Sequence, residues 1–215
     1  MIVEFNQIER QPNPLFEGCI NGNVVITGKG KTQNSKAIVN VSGKAFELSD
    51  ILHKETVDNI KVTQVTDIFS EGYKVGYIYP NIVVQKKFLC FSWGYDFFEM
   101  HLNDKRYQIY EVGLGPEQHY ICIYENGVII SIIHKKDVKI NFRDNYTFYI
   151  EHNEDLIAVC IIALYFDCIR YPDHGEIVGG KIGDDSFLTL QKELNDKYDP
   201  TFIPRIQSLG ISSCE

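Results

Sequence analysis

No excess of positive charge runs through this sequence. Lys and Arg number 21 against 29 Asp and Glu, a formal charge of −8, and the pI is near 5.3. That balance argues against broad attraction to nucleic acid or anionic membrane, because both favour a basic surface, although a local basic patch is compatible with it. Metal-ligand spacing is missing too. His53, His101, His119, His134, His152 and His174 form no HxxxH or HExxH pair and the six cysteines (Cys19, Cys90, Cys122, Cys160, Cys168, Cys214) form no CxxC pair, so neither a zinc site nor any other cofactor is expected. Three of those cysteines lie inside apolar segments, where a reduced thiol behaves as a small hydrophobe, which points to a reducing cytoplasm. GxSxG and SxxK are absent, leaving acyl transfer without support, while a Cys–His nucleophile pair, whose members meet only in space, stays open. The opening residues MIVEFNQIER have neither a basic n-region nor a long apolar h-region, so no secretion signal is expected, and no lipidation signal is visible. No run reaches the roughly 20 apolar residues that a membrane-crossing helix needs.

What is present is a strand-forming body. The chain has 215 residues, 44% hydrophobic, with 13 Tyr and 13 Phe, enough for one sizeable core. From Val3 to Ile150 the dominant period is two, and short segments are separated by Gly, Asn, Asp and Pro. The expected strands include Asn23–Thr27, Ala37–Val41, Val62–Ile68, Lys74–Tyr79, Ile82–Gln85, Phe88–Tyr95, Phe97–Leu102, Gln108–Val112, Tyr120–Tyr124, Val128–His134, Val138–Phe142 and Tyr146–Glu151. Asn126-Gly127 and Asp144-Asn145 are turn signals that tie the later strands into an antiparallel meander of sequential hairpins.

The period then changes. Leu156 to Phe166 is apolar without a break, and a helix apolar on every side has to be enclosed. Asn153 is expected to cap it, Glu154 and Asp155 suit the positive end of its dipole, and Arg170 followed by Pro172 ends it. The alternative is a pair of buried strands; the caps, the length and Ala158 and Ala163 favour the helix. The rest of the chain should wrap around this segment. Residues 1–171 therefore read as one barrel-like domain with a helix near 153–170, and 172–215 as an appendage with a short amphipathic helix near 186–197 and little pattern after it.

YQIYEVG at Tyr107–Gly113, YENGVIISIIHKK at Tyr124–Lys136, DNYTFYI at Asp144–Ile150 and the apolar helix ending in Asp167-Cys168-Ile169 together resemble the tubby-like superfamily, in particular its LURP-one-related, scramblase-like branch. The resemblance implies a mainly β fold: a closed antiparallel β-barrel of about twelve strands around a buried hydrophobic helix, a form that also leaves no open sheet edge. It covers the middle-to-late third of the chain by motif and the first hundred residues through strand periodicity alone. Most members of that family end near the helix, whereas this chain continues, and the basic residues through which tubby itself is thought to hold phosphoinositides have no clear counterpart here.

Four features are candidates for chemistry. Val25 to Thr32 runs an apolar strand into Gly-Lys-Thr, but it lacks the first P-loop glycine and a following helix, so a plain β-turn is expected. Lys135, Lys139 and Arg143, with Lys136 beside them, form the one cluster suited to a phosphate or anionic head group; the competing reading is a solvated strand face. Leu89, Phe91, Trp93, Tyr95 and Phe97 form an aromatic stripe, expected on the inward barrel face. Asp167 is either a perturbed carboxylate or a structural acceptor for backbone amides or Arg170. The function expected is that of a non-enzymatic cytoplasmic module binding a protein partner or an anionic, phosphoinositide-like membrane ligand, with no nucleic-acid partner and no transmembrane segment. The alternatives are an enzyme with its site at one barrel mouth and a phospholipid scramblase-like activity.

Overall fold

The structure is a computed structural model that describes residues 1–10, 13–31, 36–51, 55–57, 60–62, 64–88, 91–115, 118–136, 143–170 and 192–211. Its strands are β1 (Ile2–Glu9), β2 (Leu15–Ile20), β3 (Asn23–Lys31), β4 (Lys36–Val41), β5 (Lys44–Ile51), β6 (Glu55–Val57), β7 (Ile60–Val62), β8 (Val65–Ser70), β9 (Tyr73–Phe88), β10 (Phe91–Leu102), β11 (Lys105–Gly113), β12 (His119–Glu125), β13 (Val128–Lys136) and β14 (Asn145–Ile150). All but β6 and β7 form one closed barrel of twelve strands, antiparallel throughout, in which each strand lies beside its sequence neighbours and β1 closes against β14. β6 and β7 pair with each other as a small hairpin between β5 and β8.

Local chemistry sets the two barrel ends apart. Asn21-Gly22, Ser42-Gly43, Glu71-Gly72 and Asn126-Gly127 all have positive φ at both residues. Each pair joins directly opposed strand ends, such as Ile20 with Asn23 and Glu125 with Val128. These are the primed two-residue turns that suit strand twist, and they need residues that tolerate left-handed backbone. Asn103-Asp104 makes a fifth tight connection, between Leu102 and Lys105, with Asn103 at φ 52°. All five lie at one end; the longer connections lie at the other.

Several expectations change in detail. The expected segments 74–79 and 82–85 are one strand, β9, which also takes in Phe88, and the described part of the expected 88–95 segment, 91–95, joins 97–102 in β10. In β10 Gly94 is absorbed by a bulge at Trp93/Gly94, and β9 runs on through Pro80, which cannot donate to a ladder. The expected strand Val138–Phe142 lies outside the described residues; β13 pairs with β14 from Lys136 opposite Asn145. Val25 to Lys31 is neither P-loop nor turn but part of β3. Its Gly28 stands where a Cβ would meet Leu164 Cδ1 at 2.9 Å, and its Gly30 where a Cβ would meet Cys168 Sγ at 2.6 Å and Pro14 Cγ at 2.8 Å, so the helical segment, joined at Gly30 by Pro14, leaves room there only for glycine.

That segment is helical over 18 residues. Asn153–Asp155 form a 3-10 turn, α1 spans Leu156–Tyr165, and Phe166–Arg170 form a π-helical turn. The expected Asn153 cap is replaced: Asn153 sits within the 3-10 turn, and neither His152 nor Asp155 makes a side-chain cap bond. The Lys105 ammonium instead gathers Asp155 (3.1 Å), Glu154 (3.3 Å) and Glu125 (3.5 Å) at the tight-turn end. Leu156 and Ala158 to Ile169 are all buried, the only polar one being Asp167. They share one cluster with the strand residues Phe5, Phe16, Ile26, Val39, Ile109 and Phe148.

A second cluster lies on the opposite strand face. Phe97, Tyr110, Val112, Cys122 and Ile132 alternate with the residues of the first cluster and pack against Leu194, Phe202 and Ile206. The last three come from the C-terminal segment, which holds α2 (Lys192–Asn195) and α3 (Phe202–Ile211). The tail thus packs on this strand face, where little pattern was expected. Of the helix expected near 186–197, α2 is the described part, and α3 was not foreseen, because Pro204 reads as a breaker although its position in the first turn removes no helical hydrogen bond. The Asp199 side chain accepts from the Thr201 amide (2.8 Å) and hydroxyl (2.7 Å) just ahead of that helix.

Close approach of the helix to β3 gives a direct test. Gly30→Ala is expected to cost about 1–3 kcal/mol in urea unfolding, and distinctly less in a Cys168→Ala background, where the crowding sulfur is gone. Equal costs in both backgrounds would show that Pro14, and not the Cys168 sulfur, sets the limit at Gly30.

Candidate functional site

Inward-facing positions at the loop-bearing end break the apolar rule. Gln7 follows Val3 and Phe5 on β1, Glu111 follows Tyr107 and Ile109 on β11, His119 precedes Ile121 and Ile123 on β12, and Lys135 follows Ile133 on β13. Period two places each of these polar side chains on the face its apolar predecessors bury. Register brings them together: His119 lies opposite Lys135, and Lys135 opposite Tyr146. The helical segment delivers Asp167 and Cys168 to the same end.

The contacts form three linked pairs. Tyr146 Oη donates to Asp167 Oδ2 at 2.6 Å, Lys135 Nζ lies 3.0 Å from Asp144 Oδ1, and His119 Nε2 lies 2.7 Å from Glu111 Oε1. Asp144 is fixed by the backbone as well: its amide donates to Gln7 Oε1 (3.1 Å), and its carbonyl accepts from the Gln7 amide (2.9 Å). Gln7 is 3% exposed, and its Nε2 has no hydrogen-bond partner among the described residues. A buried amide donor of this kind favours an acceptor beside it.

Burial, reinforced by the Asp144 charge, raises the Asp167 carboxyl to about 7, against the opposing pull of Lys135 and the Tyr146 hydrogen bond. Burial works against the charged form of Lys135, yet the carboxylates of Asp144 and Asp167 outweigh it and hold the ammonium protonated. Tyr146 is pushed well up by burial and by Asp167, and Cys168 likewise. Burial also raises the thiols of Cys122 and Cys160 far above neutral pH. Three of the four described cysteines are therefore protonated thiols, poor nucleophiles in any Cys–His pair.

The residues singled out from sequence do not form one basic face. Lys135 points inward to Asp144, whereas Lys136 points outward and pairs with Glu4 at 2.8 Å. Arg143 is exposed, and Lys139 lies outside the described residues. Arg170 is exposed, with its guanidinium 5.4 Å from the centre of the Phe98 ring, and the bond at Asp167 comes from Tyr146. The aromatic stripe is corrected: Tyr95 and Phe97 lie in the outer cluster, not on the inward face, because Phe98 and Met100 take the inward parity. The side chains of Leu89, Phe91 and Trp93 lie outside the described residues. Gln7, Glu111, His119 and Tyr146 were missed, although polar residues at the ends of otherwise apolar half-faces were the available signal. A further polar knot, on the outer face, satisfies buried Glu99 through the Tyr79 hydroxyl (2.5 Å) and Arg106 (2.6 Å).

Among the described residues, no group of three or more His, Cys, Asp or Glu is placed to hold a metal ion. Comparison of the chain with family models, with curated proteins and with solved structures found no match.

The Asp167 shift makes a signed prediction. Its carboxyl binds a proton more tightly folded than unfolded, so its contribution to stability falls as pH rises from about 4 to about 7. Asp167→Asn, which keeps an acceptor for Tyr146 but no charge, should gain on the wild type by on the order of 2 kcal/mol between pH 5 and pH 8. Parallel stability curves for the two proteins would contradict the assignment.

Proposed function

We propose that this chain is a tubby-like, LURP-one-related barrel with the apolar helix as its axle, and that it is a non-enzymatic module binding a protein partner at its loop-bearing end. The observation that carries this reading is the inward polar layer of Gln7, Glu111, His119, Lys135 and Asp167, set at the loop-bearing end of a largely apolar interior. The closed twelve-strand meander and the single apolar helix directly after its last barrel strand support the family assignment. Helix side chains and inward strand side chains share one cluster, which supports a filled interior and a ligand site confined to the end. A cytoplasmic setting goes with the four described cysteines being free thiols.

A protein partner is favoured over an anionic head group by charge. Lys135 and Lys136 are each matched by a carboxylate within the chain, so the end presents paired charges of both signs, which suit a polar polypeptide surface better than a uniformly negative one. Among the described residues no helix is long and apolar enough to cross a membrane. The raised cysteine thiols weaken the enzymatic alternative.

Two measurements test this together. The protein should not float with vesicles containing phosphoinositide at about 0.15 M salt; flotation abolished by Arg143→Glu would restore the head-group reading. Affinity capture from cell extract, run in parallel with wild type and with His119→Ala and Arg143→Glu variants, should yield a protein held by the wild type and lost from the variants. A captured set indifferent to both substitutions would overturn the placement of the site.

A further inference from the structure

The outer cluster differs in kind from the inner one. Among the described residues, six of its 18 hydrophobic members are tyrosine, against three of 40 in the interior. Tyrosine in that proportion marks surfaces that associate and part, since its ring buries area while its hydroxyl remains content at a wet rim. The polar contacts fit this description. Tyr124 Oη donates to the Lys197 carbonyl at 2.7 Å, Tyr198 packs 4.5 Å from Tyr120, Lys197 Nζ sits 4.7 Å over Tyr110, and Arg205 pairs with Glu151, its Nη2 3.3 Å from Oε2.

The segment that covers the wall is also built to be separable. α2 and α3 are four and ten residues long, and helices shorter than about 12–15 residues are marginal without docking. Leu209 remains 57% exposed on α3.

We propose that the outer wall running from β10 through β14 to β1 is a docking surface for an amphipathic helix, occupied in the free protein by residues 192–211, with α2 on β11 and α3 on β14 and β1, and surrendered to a partner helix of the same pattern. That partner presents an aromatic residue, an arginine three positions on to meet Glu151, and a branched aliphatic residue four positions on, as Phe202, Arg205 and Ile206 do. The wall lies outside the barrel and this inference does not depend on the site at the loop-bearing end.

The test uses the full chain and a fluorescent synthetic peptide of residues 192–211. The peptide should bind the wild type weakly and bind Phe202→Ala at least tenfold more tightly, because that chain's own tail has lost its central anchor. Arg205→Glu, a gentler opening, should tighten peptide binding about fivefold, and Glu151→Arg in the wall should weaken it by a similar factor. Amide exchange should show α3 opening faster than β11 to β13 in the wild type. The proposal is overturned if the peptide fails to bind Phe202→Ala and Arg205→Glu chains that keep a cooperative melting transition. It is equally overturned if α3 exchanges only with global unfolding, or if Phe202→Ala destroys the barrel, since the tail would then be integral to the fold.

Discussion

Burial of a helical segment that offers almost no polar side is the constraint on which the other features depend. Leu156 and Ala158 to Ile169 are out of solvent, so apolar strand faces must meet them from several directions, and the meander supplies those faces in order. The cost appears in the wall, where Gly28 and Gly30 interrupt β3 because Leu164 and Cys168 press against it. Glycine weakens a strand by roughly 0.5–1 kcal/mol relative to alanine, and here the penalty is outweighed by the area the approaching side chains bury.

The polar ends of the segment are handled differently. At the tight-turn end Lys105 gathers three carboxylates and stands in for a helix cap. At the other end Asp167 is buried next to a tyrosine hydroxyl, with Asp144 and Lys135 paired close by. The first arrangement is partly solvated and compensates charge. The second is buried, raises the pKa of a carboxyl to about 7 and leaves an amide donor of Gln7 unmatched among the described residues, a departure from the fold's internal consistency of the sort that accompanies function.

Much of this architecture was readable from residue order. Alternation such as Ile121, Ile123 against Cys122 gives strands, Asn126-Gly127 gives a primed turn, and eleven consecutive apolar residues give the helical segment. Parity was harder, because β10 and β11 are buried on both faces. With Phe97 and Phe98 both apolar, nothing local says which one points inward, and only the docked tail, distant in sequence, decides it. The same blindness hid the polar layer. Gln7, Glu111, His119 and Lys135 belong to different strands, and their proximity exists only after the barrel has closed, whereas the consecutive cations Lys135 and Lys136 looked like a patch and point to opposite faces.

Closure by the first and last barrel strands has a consequence for synthesis. Ile2 faces Tyr149 and Asn6 faces Asn145, so the seam joins the opening residues to ones made about 140 positions later. Hairpins such as β2 with β3 can assemble as they leave the ribosome, but the edge of β1 facing the seam waits unpaired until β14 emerges. Such long-range pairing slows folding and leaves a sticky border in the nascent chain. Glu4 and Glu9 on that waiting strand put negative charge along it, a built-in deterrent to premature association between neighbouring nascent chains.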